Sequence, residues 1–437
     1  MWRTLPLLAA LAGSLPTVAQ SGIIGPMPGH TDLLESTIWL QCQGPCRVKL
    51  DYWKAGRPDS LLSTPELSSD PATAHVLKFR MDQVVPGTTY RYRVVKDGEV
   101  VDLEDSLSFT TQALWKYRTD PPPFTLALGS CAYINEAAHD RPGKPYGGDY
   151  GIFNAIAADR PDLMLWLGDN IYLRESDWGS RTGYLHRHTH TRSLPELQHL
   201  LRSTHHYAIW DDHDFGPNDA DGSFMHAPLA LEAFELFWAN PTTGAPGVPG
   251  AITAFSWYDA DLFLLDNRTH RVNSDNRTNA PQLLGQAQVD WLVQALKYSD
   301  ATFKLVAVGG QVLNTAMVFE NHANFPEERA ELLSRIREEG ITGVIFLTGD
   351  RHFTELSHLP GEEAPDIWDL TVSPLTSSAY QREEDNQLRV EGTRVEQRNY
   401  ALLHFEGGKD DRQLRITVHD AAGAFLWERT ITPPAGR

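Results

Sequence analysis

Leu163-Met-Leu-Trp-Leu-Gly-Asp-Asn-Ile-Tyr172 is an unbroken apolar run that stops at a glycine and ends in a burst of polar residues. A short run of this kind, with no alternation, reads as a strand covered on both faces. Three more runs have the same form. Phe124-Thr-Leu-Ala-Leu-Gly-Ser ends at Cys131, Tyr207-Ala-Ile-Trp ends at Asp211-Asp212-His213-Asp214, and Val344-Ile-Phe-Leu-Thr-Gly ends at Asp350-Arg351-His352. Helix-like stretches lie between them at 153–158, 229–238 and 287–296, with a more charged, exposed one at 327–339. Strands that alternate with helices make an α/β fold in layers. Ligands of such folds bind in the crevice beyond the strand ends. As parallel neighbours, the four runs would deliver their polar ends to one crevice.

Those ends fit metals better than proton relays. Several carboxylates in one place repel, and burying them without compensation is expensive. Cations remove that cost, and a carboxylate can bridge two of them. Gly168 and Gly349, ahead of Asp169 and Asp350, would let the backbone approach the site closely. A thiolate and a tyrosinate favour a Lewis-acidic, redox-capable ion such as ferric iron, while carboxylate-rich positions suit calcium, magnesium or manganese. Taken singly, each motif has a plainer reading: a turn at Gly-Asp, a helix N-cap at Asp-Asp-His-Asp, a small buried hydrophobe at Cys131. Chance does not readily put four of them at four strand ends.

Toward the N-terminus the pattern changes. From about residue 37 to residue 111 apolar and polar residues alternate, in runs such as Arg47-Val-Lys-Leu-Asp-Tyr-Trp and Tyr90-Arg-Tyr-Arg-Val-Val, with a hairpin signal at Asp97-Gly98. This predicts a small β-sandwich of the fibronectin III or immunoglobulin kind, because Val85-Pro-Gly-Thr-Thr-Tyr-Arg-Tyr-Arg-Val resembles a fibronectin type III strand. Pro121-Pro-Pro marks the linker. The chain therefore divides into 1–20, 21–118 and 119–437. Residues 1–20 read as an export signal, with Arg3, an apolar stretch from Leu5 to Leu15 and Thr17-Val18-Ala19 as the cleavage site, so the expected location is periplasmic or extracellular. That apolar stretch is too short to span a bilayer, and no transmembrane anchor is expected. In an oxidising compartment Cys42 and Cys46 could pair, leaving Cys131 free. A net charge of -19 excludes a nucleic-acid-coating role, since phosphate backbones are held by clustered Lys and Arg.

Leu128-Gly-Ser-Cys131, Trp166-Leu-Gly-Asp-Asn-Ile-Tyr172, Ile209-Trp-Asp-Asp-His-Asp214 and Thr348-Gly-Asp-Arg-His352 together resemble the motifs of the PhoD-like (alkaline phosphatase D) metallophosphatases, a branch of the calcineurin-like metallophosphoesterases. The resemblance runs from about Phe124 to the C-terminus and implies a layered α-β-β-α domain. It implies that Cys131, Asp169, Tyr172 and His352 hold a ferric ion, and that Asp169 bridges to a calcium-like ion held by Asp212 and Asp350, with Asn218 a further ligand. Manganese, magnesium or zinc are the other ions considered. By the same resemblance His213 is the catalytic histidine beside the leaving group. Cys131 stands where the wider superfamily has Asp-x-His, and Asp212 where it has Asn, which speaks against dizinc or dimanganese chemistry. The implied reaction is direct attack on the phosphorus of a small-molecule phosphate monoester by a metal-bound hydroxide, with Arg351 stabilising charge on the equatorial oxygens. Asn170 and Asp214, and Asp266-Asn-Arg268 with its own motif-like look, are expected behind the ligands or beside the substrate.

The other candidates read more plainly. His186, His188 and His190 suggest a second metal site, against which stands a polar loop or exposed helix face lining the cleft. His205 and His206 read as packing residues. Trp166 and Trp210 read as core. Gln311 and Asn314 could face the cleft. Asn267 and Asn276 fit the N-glycosylation pattern. Two other functions compete: a phosphodiesterase or phospholipase D-like hydrolase of the same fold, and a non-catalytic calcium-dependent binding protein. Against the second stands His213, a proton-transfer residue that a structural site does not need.

Overall fold

The computed structural model describes residues 22–103, 105–361 and 364–433; the export signal read at 1–20 lies outside them. The N-terminal strands are β1 (Ile23–Thr31), β2 (Ser36–Cys42), β3 (Arg47–Lys54), β4 (Leu62–Ser63), β5 (Leu67–Ser68), β6 (Val76–Met81), β7 (Thr89–Lys96), β8 (Glu99–Val100) and β9 (Ser108–Thr110). They form two antiparallel sheets, β1-β2-β6 and β4-β3-β7-β8, with β5 added to β3 and β9 to β7. The alternating residues Ile38, Leu40, Val48, Leu50, Leu77, Phe79, Tyr90 and Val94 point inward and fill the space between the sheets. Cys42 and Cys46 are bridged.

The layered domain follows. Its elements are β10 (Phe124–Gly129), α1 (Gly151–Asp159), β11 (Leu163–Leu167), α2 (Arg181–Arg192), α3 (Pro195–Ser203), β12 (His205–Ile209), α4 (Asp212–Phe215), α5 (Ala227–Phe237), β13 (Thr253–Trp257), β14 (Ala260–Leu264), α6 (Gln286–Tyr298), β15 (Phe303–Val308), α7 (Pro326–Glu338), β16 (Val344–Thr348), β17 (Glu355–Leu359), β18 (Ile367–Thr371), β19 (Asn399–Glu406), β20 (Gln413–Asp420) and β21 (Phe425–Ile431). One sheet runs β12-β11-β10-β19-β20-β21 and the other β13-β14-β15-β16-β18-β17. Leu126, Leu128, Leu165 and Ile209 of the first meet Leu262, Leu305, Ile345 and Leu347 of the second in a buried core. Helices α1, α3 and α5 cover the outer face of the first sheet through Phe153, Leu200 and Phe234. Helices α6 and α7 cover the second through Leu292, Val293 and Ile336. The order is α-β-β-α.

The expected parallel row of four strands is divided between the sheets. β10, β11 and β12 are parallel neighbours in one sheet, whereas β16 is a central parallel strand of the other. Both faces of β16 are covered in either arrangement, so its apolar run carries no mark of which sheet it joins. The polar ends therefore converge across the two sheets. The sandwich packs on the layered domain through Met27, Trp39 and Val76, which share an apolar cluster with Leu197 and Phe237. Trp39 Nε1 donates to Leu236 O at 3.1 Å, at the end of α5.

Candidate metal centre

The loops after β10, β11 and β16, which carry candidate ligands, leave their strands through sharp turns. Cys131, Asp169, Asp350 and His352 all have φ between +52° and +64°, a left-handed conformation that non-glycine residues adopt reluctantly and that collects at functional sites. Glycines make the turns possible. Gly168 has φ +85°, and a Cβ there would stand 2.7 Å from Asp211 Cβ. A Cβ on Gly349 would meet the carbonyl of Leu167 and lie 2.8 Å from Ser130 Cβ, at the crossing between the two sheets. The close approach at Gly349 brings the β16 loop against the β10 and β11 loops, and that at Gly168 brings the β11 loop against Asp211 after β12.

Asp169 stands at the middle of the cluster. One ligand atom each from Cys131, Asp169 and His352 lies within 4.8 Å of the others, and the same holds for Asp169, Asp212 and His213. Cys131 Sγ is 3.6 Å from Asp169 Oδ2, and Tyr172 Oη donates to that oxygen at 3.0 Å. Tyr172 Oη is also 3.3 Å from His352 Nε2. His352 Nδ1 lies 2.7 Å from the Ser378 carbonyl, so it is the protonated nitrogen and Nε2 keeps its lone pair for the cluster. The ring of His213 lies over that of Tyr172, centroids 4.3 Å apart. Asp350 and Asn218 line the same cleft of about 610 Å3, together with Asp212, His213 and Arg351. A cavity of about 790 Å3 beside Gln112, Trp115 and Tyr258 is larger, but it is lined by none of these residues.

Burial dominates the electrostatics. The Asp169 carboxyl is pushed well up by desolvation, then by the charges of Asp212 and Cys131. Desolvation, with Asp350 adding to it, raises the Cys131 thiol to about 12, and desolvation followed by Asp169 lifts Tyr172. Asp350 rises for the same first reason, against the opposing pull of Arg351. By themselves these groups hold protons that a metal would displace. One buried oxygen of Asp212 has no hydrogen-bond partner. A thiol, a phenol, an imidazole and carboxylates that share one oxygen-rich pocket form a donor set that fits two unlike cations, one soft enough for sulfur and one hard.

The supporting residues fall behind this set. Asp211 and Asp214 form a capping box at α4. Asp214 accepts the backbone N–H of Asn170 at 3.1 Å and that of Asp211 at 3.0 Å, tying the loops after β11 and β12 together, and burial raises it to about 7. Asn170 Nδ2 donates to Ile209 O at 2.7 Å. Arg268 is wholly buried, its guanidinium taken up by Asp211 and Glu320. Asp266 accepts from Trp210 Nε1, Ala251 N and Thr269 Oγ1, and holds its own turn. Asp266 and Arg268 thus serve as supports. Arg351 lines the cleft, its guanidinium paired with Glu384 and lying 4.5 Å from the Phe319 ring centroid.

Several residues of the site were not read from the sequence. Glu320 pairs with Arg268 and Arg271, Ser377 donates to Tyr172 Oη at 3.1 Å, Tyr146 lines the cleft and Glu384 holds Arg351. All four lie outside strands and helices, where no periodicity marks them. Gln311 and Asn314, considered for the cleft, instead donate to the buried Glu355. Asn267 is buried and donates to Asp211 at 2.8 Å, which takes it out of reach of glycosylation. His205 and His206 pack as expected, the latter accepting from Trp166 Nε1 at 3.0 Å.

The sequence profile of the PhoD-like phosphatases matches residues 126–421, the stretch that carries every strand-end motif. The chain belongs to the PhoD-like phosphatase family. It is 22% identical over 337 residues to alkaline phosphatase D of Bacillus subtilis (strain 168), covering 66% of this chain and 55% of the relative; the match thus spans about half of that relative's length. Its fold is that of a solved structure of PhoD, with a TM-score of 0.73 at 17% identity over 94% of this chain and 92% of the other. Purple acid phosphatase PPD1 from yellow lupin (Lupinus luteus) seeds shares the fold at a TM-score of 0.69 and 11% identity, covering 94% and 74%. No helix among the described residues is long and apolar enough to cross a membrane.

Proposed function

We propose that this chain is an exported, metal-dependent phosphoesterase that hydrolyses small phosphate monoesters in the cleft at the strand ends. The observation that carries the reading is the junction at Asp169, where the cluster with Cys131 and His352 meets the cluster with Asp212 and His213. Family membership makes a phosphate ester the natural substrate class. Cys131, Asp169, Tyr172 and His352 would hold an iron-like ion, and Asp212, Asp350 and Asn218 a calcium-like one beside it. When bound, such ions supply Lewis acidity and a water acidic enough to act near neutral pH. His213, half-buried at the cleft, protonates the leaving oxygen. Arg351 faces the phosphoryl oxygens, with its charge partly spent on Glu384. Residues 1–20 direct export, and the sandwich of residues 21–118 serves as a scaffold against α5.

A diesterase is the second reading, favoured by one observation. A pocket of about 390 Å3, lined by Tyr133, Trp178 and Lys144, adjoins the cleft and shares Tyr146, His213 and Asn218 with it. That leaves room for a second ester arm. Metal analysis of Asp169→Asn, with p-nitrophenyl phosphate and bis-p-nitrophenyl phosphate assayed side by side, tests both readings. The proposal expects the wild type to prefer the monoester, and the variant to lose activity and bound metal together. Preference for the diester supports the second reading. No hydrolysis of either by metal-loaded wild type overturns both.

A further inference from the structure

Glu136 and His139, on the segment that follows Cys131, meet His186 of α2. Glu136 Oε1 lies 3.0 Å from His186 Nε2 and 3.9 Å from His139 Nε2, and one ligand atom of each residue lies within 4.8 Å of the others. None of the three belongs to the Asp169 cluster. We propose that Glu136, His139 and His186 form a second metal site, which takes a divalent transition-metal ion such as zinc. Two imidazoles and one carboxylate suit zinc, and they are too poor in oxygen for calcium or magnesium.

The three side chains are held as ligands are held. The second oxygen of Glu136 is fixed at 2.8 Å by Arg187 Nη1, and Arg187 is itself buried and fixed by Asp177 at 2.8 Å. His186 Nε2 lies 3.1 Å from that second oxygen and 3.0 Å from Oε1, and Oε1 also faces His139. His139 Nδ1 lies 3.1 Å from the Ser176 hydroxyl, which leaves Nε2 for a metal, as outer partners do for metal-bound histidines. His190, one turn further along α2, stacks on His186 with centroids 6.2 Å apart, and its buried Nδ1 has no hydrogen-bond partner. The site is open to solvent, with 35% of the His139 side chain and 43% of the His186 side chain exposed, so an ion can enter without unfolding. A Glu–His ion pair would explain one of these contacts. The turn at Glu136 sets His139 beside it, its backbone N–H bonded to the Glu136 carbonyl at 2.9 Å, and α2 then brings His186 to the same carboxylate from 50 residues away. A bound ion would fasten α2 to the segment from Cys131 to Arg141, which supplies Tyr133 and Arg141 to the pocket beside the cleft.

The test uses the full chain carrying its catalytic ions, titrated with zinc chloride by calorimetry. Wild type should bind one more zinc than His139→Ala or His186→Ala, and Asp169→Asn should keep that extra equivalent whether or not it hydrolyses esters. Equal zinc uptake by wild type and both histidine variants overturns the proposal. A second measurement needs no variant. Zinc should slow diethyl pyrocarbonate labelling of His139 and His186 at least tenfold, read by mass spectrometry, and leave the exposed His199 unchanged. Unchanged labelling of His139 and His186 also overturns it.

Discussion

On the proposed reading His213 has two duties to choose between, proton donor and metal ligand. It lies within ligand distance of Asp169 and Asp212, and its ring also faces the cleft beside Tyr172. A proton donor and a ligand differ in how they respond to the leaving group. If His213 donates the proton, His213→Ala should slow hydrolysis of alkyl phosphates by about 10²–10⁴-fold. It should cost p-nitrophenyl phosphate far less, since p-nitrophenolate departs without protonation, and metal content should stay unchanged. Equal losses on both substrates with a parallel loss of metal would make it a ligand. Cys131 shows the converse logic. With its thiol raised to about 12 by burial and Asp350, it becomes a thiolate near neutral pH only if a cation takes the proton's place. The residues readable in advance were those at strand ends, where an apolar run stops at a polar one. Glu320 and Glu384 were not, because each is an ordinary acidic residue in a loop until a buried arginine meets it.

Among the elements, the loop after β14 has the most to lose. It threads Arg268 between Asp211, next to the candidate ligand Asp212, and Glu320 of a distant loop. Both carboxylates are almost completely buried, so Arg268 offsets two charges that would otherwise repel. Arg268→Met keeps the volume and removes the charge. It should lower unfolding stability in urea by about 3–5 kcal/mol, as expected when one partner of a buried pair is removed. It should also weaken metal retention about 10–100-fold without touching a ligand. If both stay at wild-type values, Arg268 is not the support of Asp211. Helices show where pattern reading stops. The stretches expected at 153–158, 229–238, 287–296 and 327–339 are α1, α5, α6 and α7 with slightly different bounds. For α2 the sequence leaves a polar loop or an exposed helix face open, because its Tyr184-Leu-His-Arg-His-Thr-His run carries no apolar stripe; it is a helix that buries polar residues, among them Arg187 and His188. α3 did carry a stripe, Leu197, Leu200 and Leu201, behind Pro195.

For the molecule as a whole, the acidic cluster couples stability to pH and, on the proposed reading, to metal. Asp214 keeps its proton in the fold up to about 7, against an ordinary value of 3.8, because burial disfavours its charge. Asp169 and Asp350 are shifted the same way. Between those limits an unfolded chain has already released the proton that the folded chain still holds, so rising pH favours unfolding. Protein stripped with a chelator should therefore be most stable in mild acid and lose on the order of 5 °C in Tm or more toward pH 8. Metal-loaded protein should escape that fall, because cations replace the protons and bind only the folded state. Parallel curves for stripped and loaded protein in calorimetry would show that the carboxylates do not share a metal.

The sequence by itself determined which segments are strands buried on both faces, that an alternating module precedes them, and that Cys131, Asp169, Tyr172, Asp212, His213 and His352 stand at strand ends. These are local facts, written in runs of apolar residues and in the polar residue that stops each run. Only the tertiary structure decided that β16 belongs to a different sheet from β10, β11 and β12, because a strand covered on both faces looks the same in either sheet. The fold alone also turned Arg268 into a support, paired Arg351 with Glu384 and set Glu136 beside His186. Charge pairing across long stretches of chain depends on which loops meet, and no periodicity records that.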